Sequence, residues 1–135
     1  LEVQLPFLQE LLGEFDLIPA VVGETSAETF SEILETLLQD SNSLLLLSTD
    51  LSHFLSYSEA REMDSNTARA IESFQEEKIL PDQACGAHPL RGLLHYARNR
   101  NWNIHRLGLC NSGDTAGSKD RVVGYGAWAL TEKSD

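Results

Sequence analysis

Long apolar runs, basic side chains and cysteines are what these 135 residues have least of, and each shortage excludes something. No apolar run unbroken by proline is longer than the four leucines at 44–47, far below the roughly 20 residues a membrane-spanning helix needs. Ten Lys and Arg stand against 21 Asp and Glu, a formal net charge of −11. Binding to DNA or RNA needs a basic surface, so nucleic acid is not an expected partner. Arg98, Arg100 and Arg106 are too sparse to reverse that and read as the solvated end of a helix and its loop.

The two cysteines, Cys85 and Cys110, could form at most one disulfide, and their surroundings differ. Free thiols are expected, as in a reducing compartment. No basic stretch followed by an apolar core opens the sequence, and a cytoplasmic location is the expectation. The sequence opens Leu1-Glu2-Val3 with no Met, and Leu1, Leu5, Leu8, Leu11 and Leu12 already recur at helical spacing. It therefore reads as starting inside an element, as part of a longer chain.

With 41 % apolar and 23 % charged residues, the composition is that of an ordinary globular domain. A helix is expected over 1–12, closed by Gly13. The apolar run 17–22 reads as a strand near an edge, because Pro19 cannot complete a ladder. Thr25-Ser26-Ala27-Glu28 has the capping-box pattern, and Phe30, Ile33, Leu34, Leu37 and Leu38 follow as one helical face. Residues 44–49 read as a strand apolar on both faces, as in a covered parallel sheet. Strand, helix and strand at this spacing predict a right-handed βαβ unit.

Further along, residues 50–57 read as a loop and 58–76 as helical, with Asp64 or Ser65 as a second cap. A helix led by Pro89 should end near Arg100, and strands are expected over 104–110 and 122–129. The class is α/β, a three-layer α/β/α arrangement with a mixed or mostly parallel sheet, read as an incomplete half of a larger domain.

Chemistry is concentrated at two places. Ser48-Thr49-Asp50-Leu51-Ser52-His53 directly follows the leucine run. Open α/β sheets bind ligands at the carboxyl ends of their strands. Asp50 and His53 can point into one pocket there, the carboxylate orienting the imidazole for acid–base work or metal binding. Asp50 as a turn cap and His53 as a surface residue fit the spacing equally well.

The second place is Ala84-Cys85-Gly86-Ala87-His88-Pro89. Helix N-termini favour thiolate over thiol, and thiolate binds metals or attacks carbonyls. Gly86 would allow close backbone approach. A buried inert cysteine is the structural alternative. His88 serves equally as a donor behind the pocket or as a helix cap.

Other chemistries fail on inspection. There is no G-x-S-x-G elbow. The 113–119 segment has its glycines one residue too close for a phosphate loop, and Lys119 does not follow Gly117. Cys110 reads as a core residue of its strand. His95 and His105 read as surface residues, and Trp102 and Trp128 as packing.

Five motifs occur here in the order seen in Memo-like proteins. They are Leu1-Glu2-Val3-Gln4-Leu5-Pro6-Phe7-Leu8, Ser48-Thr49-Asp50-Leu51-Ser52-His53, Ala84-Cys85-Gly86, Asn111-Ser112-Gly113-Asp114 and Val122-Val123-Gly124-Tyr125. The sequence resembles the C-terminal half of that family, also called AmmeMemoRadiSam system protein B. The family is similar in turn to class III extradiol dioxygenases.

The resemblance implies a metal pocket. Cys85 matches a metal-ligand position, His53 the acid–base histidine and Asp50 its neighbour, with Ser48 and His88 behind them. It implies a divalent metal in the full-length parent, iron or copper or else zinc. Two further histidine ligands would lie upstream of residue 1, so this part alone should not hold metal tightly.

Three functions follow from that likeness: a metal-dependent oxidoreductase, a peptide- or protein-binding module using the same pocket, and a Cys85/His53 hydrolase. The expected partners are a small molecule or peptide, and the N-terminal half itself.

Overall fold

The computed structural model describes residues 2–40, 42–115 and 117–133. Helix α1 (Leu5–Leu12) follows a short turn over Glu2–Gln4 and ends at Gly13, whose φ of +71° suits glycine. Ser26 opens α2 (Ala27–Leu37) by accepting the Thr29 N–H. The capping box expected over 25–28 does not form; Ser26 is the N-cap, and its partner three residues on is Thr29.

Strand β1 (His53–Leu55) leads into α3 (Tyr57–Glu72), which Ser56 and Glu59 start with a complete capping box. Asp64 and Ser65, expected as a second cap, lie mid-helix instead. After a turn at Glu76–Lys78 come α4 (Ala87–Asn99), β2 (Asn103–Asn111) and β3 (Val122–Thr131).

The α/β class holds, with one correction. The sheet is antiparallel, in the order β1-β3-β2, where a mixed or mostly parallel one was expected. Residues 17–22 and 44–49, expected as strands, belong to no ladder among the described residues, so the predicted βαβ unit does not form. The leucine run still alternates as an extended chain does, with Leu45 and Leu47 packed inward and Leu44 and Leu46 exposed. Its apolar pattern belongs to a strand, but a ladder also needs a neighbour.

Two clusters make the core. In one, Phe30 and Leu34 of α2 meet Leu93 and Tyr96 of α4, backed by Trp102, Leu45 and Leu130. In the other, Ala70 and Ile71 of α3 meet Leu90 and Leu94 of α4, backed by Trp128 and Leu47. Both tryptophans pack as expected. Cys110, expected in the core, is exposed on edge strand β2.

Helix α3 is fastened to the sheet by polar groups at both ends. At its C-terminal end Glu72 accepts from the Trp128 indole at 3.2 Å and pairs with Arg106 at 3.1 Å. At its N-terminal end the Tyr57 hydroxyl donates to Asp114 at 2.6 Å. Asp114 also accepts the Asn111 N–H, which closes the turn after β2.

Candidate functional site

Asp50 and His53 sit where the loop after the leucine run becomes β1. Their side chains lie together, His53 Nε2 being 3.5 Å from Asp50 Oδ2, both partly exposed. The loop is stitched to β3, since the Leu51 N–H donates to the Gly124 carbonyl and the Gly124 N–H to the Ser52 carbonyl. A bulge between His53 and Leu55 follows, leaving Phe54 at φ +59° with its ring outward and the Arg121 guanidinium 4.9 Å from the ring centroid. Bulges beside functional sites commonly re-aim side chains, and this one sits next to His53.

Cys85 comes from the segment that enters α4 and meets the same loop. Its sulfur accepts the Asp50 N–H at 3.3 Å and lies 3.2 Å from the Thr49 hydroxyl. The backbones are also joined, the Cys85 N–H donating to the Asp50 carbonyl at 3.3 Å. Thr49 is the hub. Its oxygen accepts the Gly86 N–H at 2.7 Å and lies 2.9 Å from the Asp50 carbonyl. Gly86 permits this approach, because a Cβ there would fall 2.9 Å from the Thr49 side chain.

The fold therefore brings Asp50, His53 and Cys85 into one loop cluster, with the thiol exposed. Ser48 lies beside it and accepts from the Gln4 amide at 3.2 Å. His88 is occupied elsewhere, its Nδ1 lying 3.1 Å from the Thr25 carbonyl at the approach to α2. Among the described residues no three His, Cys, Asp or Glu side chains converge as a metal-binding group. Among the described residues, surface depressions of about 320 and 350 Å³ lie along α3, lined by residues such as Asn66, Arg69, Glu62 and Gln83, and Asp50, His53 and Cys85 line neither.

Three participants escape the spacing of the sequence. Thr49 is one. Asp64 is another: it accepts the Ser52 N–H from inside α3, and its burial holds the carboxyl above the ordinary range. The third, Glu76, is buried and receives a two-pronged contact from Arg98 at 2.7 and 2.8 Å, with His95 at 3.1 Å. His95, expected on the surface, is thus partly buried and shares the Glu76 carboxylate with Arg98.

An α/β chain that sets an exposed thiol against an Asp–His loop at the end of an apolar segment defines the class. Its residues 1–129 match the profile of the Memo-like protein family, and the chain belongs to that family. A MEMO1 family protein of Aeropyrum pernix is 33 % identical over 139 residues, covering 94 % of this chain and 50 % of its own length. The MEMO1 family protein of Aquifex aeolicus is 32 % identical over 136 residues, covering 93 % and 51 %. One from Thermoplasma acidophilum is 29 % identical over 132 residues, covering 92 % and 49 %. The chain spans about half the length of the curated relatives it matches.

Proposed function

We propose that this chain supplies one wall of a dioxygenase-like metal pocket in a metal-dependent oxidoreductase. In this reading Cys85 is a metal ligand and His53, steadied by Asp50, is the proton carrier. The observation that carries it is the seating of the Cys85 sulfur. It faces the Asp50 amide and the Thr49 hydroxyl, on the same loop that pairs Asp50 with His53. The Asp50 N–H points at that sulfur, and thiolate is the form of cysteine that ligates metals.

The residues of the chain fit only part of a metal site. Stable sites take three or four ligands, and no three converge here among the described residues. The remaining ligands come from the other half of the parent. Iron and copper are the proposed metals, with zinc next, since thiolate is a soft ligand. A bound divalent metal would supply Lewis acidity toward a substrate oxygen. The chain's own contribution is to present the sulfur and to hold or release a proton at His53 Nε2.

The same reading names a partner, the N-terminal half. Val3, Phe7, Leu11, Ile18, Val21, Leu44 and Leu46 are exposed, Val21 by 91 %. Large apolar side chains left this exposed are the ones a partner would cover. Residues 17–22 and 44–49, extended and without a ladder, would gain neighbours there.

Cobalt(II) titration of a chain extended to the length of its relatives tests the metal assignment. A sulfur-to-cobalt charge-transfer band in wild type that vanishes in Cys85→Ser supports it. The same spectrum in both proteins contradicts it.

A further inference from the structure

Asp64 is a carboxylic acid in the middle of α3, only 2 % exposed. Ionisable groups are rarely buried this far without a task or a partner. The only hydrogen bond it makes among the described residues is to the pocket loop, where Oδ1 accepts the Ser52 N–H at 3.0 Å. Gly124 of β3 lies against its other face, so close that a Cβ there would fall 2.0 Å from Oδ2. The Ser52 carbonyl is held at the same time by the Gly124 N–H at 2.8 Å. The Ser52 residue, with no exposed surface, is therefore gripped from α3 on one side and β3 on the other. Asp50 lies two residues before it and His53 directly after.

We infer that Asp64 is the positioning residue of the Asp50–His53 pair, acting through the Ser52 amide, and that Gly124 is the small residue its seat requires. The inference rests on the reading of that pair as the proton-handling part of the pocket. A loop pinned at Ser52 has little freedom to separate side chains that now stand 3.5 Å apart. Without the Asp64 acceptor, the buried Ser52 N–H has no partner. The loop then opens to find water, and His53 leaves Asp50.

Amide hydrogen exchange and imidazole nitrogen shifts, both by NMR on the chain, test this without reference to metal. Failure here is thus distinguishable from failure of the pocket reading, which the cobalt titration addresses. In Asp64→Ala the Ser52 amide should exchange about tenfold to a hundredfold faster relative to the Leu94 amide in α4. The His53 nitrogen shifts should move with it. Asp64→Asn keeps an acceptor of the same reach and should restore both. If Asp64→Ala does not fold, Asp64→Ser, too short to reach Ser52, is read in its place.

Three results overturn the inference. One is unchanged Ser52 exchange. Another is faster exchange everywhere with His53 shifts unmoved, which makes Asp64 a general core residue. The third is an Asn variant that behaves like Ala.

Discussion

At the residue scale, buried polar groups decide most of what can be tested. Burial raises the Asp64 carboxyl, so the folded chain keeps a proton that the unfolded chain has released. Stability should therefore fall as pH rises from the ordinary value of 3.8 through the folded-state value. Asp64→Asn should remove that descent, as read from urea midpoints across the same pH steps.

Asp114 works in the opposite sense. The Tyr57 hydroxyl and the Asn111 amide hold its carboxyl below the ordinary value of 3.8. Its stabilisation is present above that value and is lost as pH falls through the lowered one. The gap between wild type and Asp114→Asn should narrow in acid. Glu76→Ala leaves Arg98 and His95 without their shared carboxylate and should cost about 1.5–3 kcal/mol by denaturant unfolding. Asp64 was legible after the fact: it follows Ala60 by four residues and precedes Ala68 by four and Ile71 by seven, on the buried face of α3. Thr49 carried no such mark, because its partners lie 36 and 37 residues away.

At the element scale, what could be read in the sequence was whatever depends on neighbours along the chain. The Leu90, Leu93, Leu94 and Ala97 face placed α4 inward, and the segments 104–110 and 122–129 read as the strands that became β2 and β3. The start of α2 was legible locally too, though its cap is Ser26 rather than the box expected over 25–28. Which strand lies beside which was not, so an antiparallel sheet stands where a mixed or mostly parallel one was expected. The same separation hid the bulge at Phe54, which answers to the register against Val122 and Val123.

The α2–α4 contact should be the main store of stability among the helices. Leu34, with no exposed surface, sits in it, and Leu34→Ala should cost about 2–5 kcal/mol by denaturant unfolding. Ser56→Ala removes the hydroxyl half of the α3 capping box and should cost about 1 kcal/mol in the same measurement.

At the scale of the whole molecule, the chain spans about half the length of its relatives and exposes several large apolar side chains, Val3, Ile18 and Val21 among them. No helix among the described residues is long and apolar enough to cross a membrane. The Cys85, Asp50 and His53 cluster is likewise open, with one thiol and one Asp–His pair. The function proposed above would give both features one explanation, a second half that packs on the exposed apolar side chains and adds ligands to the pocket.

The most direct test is metal content by inductively coupled plasma mass spectrometry on the chain extended to its relatives' length, beside its Cys85→Ala variant. The account predicts close to one iron or copper per extended chain and little in the variant. Equal metal in the two, or none in either after reconstitution with Fe(II), Cu and Zn, would contradict Cys85 as a ligand.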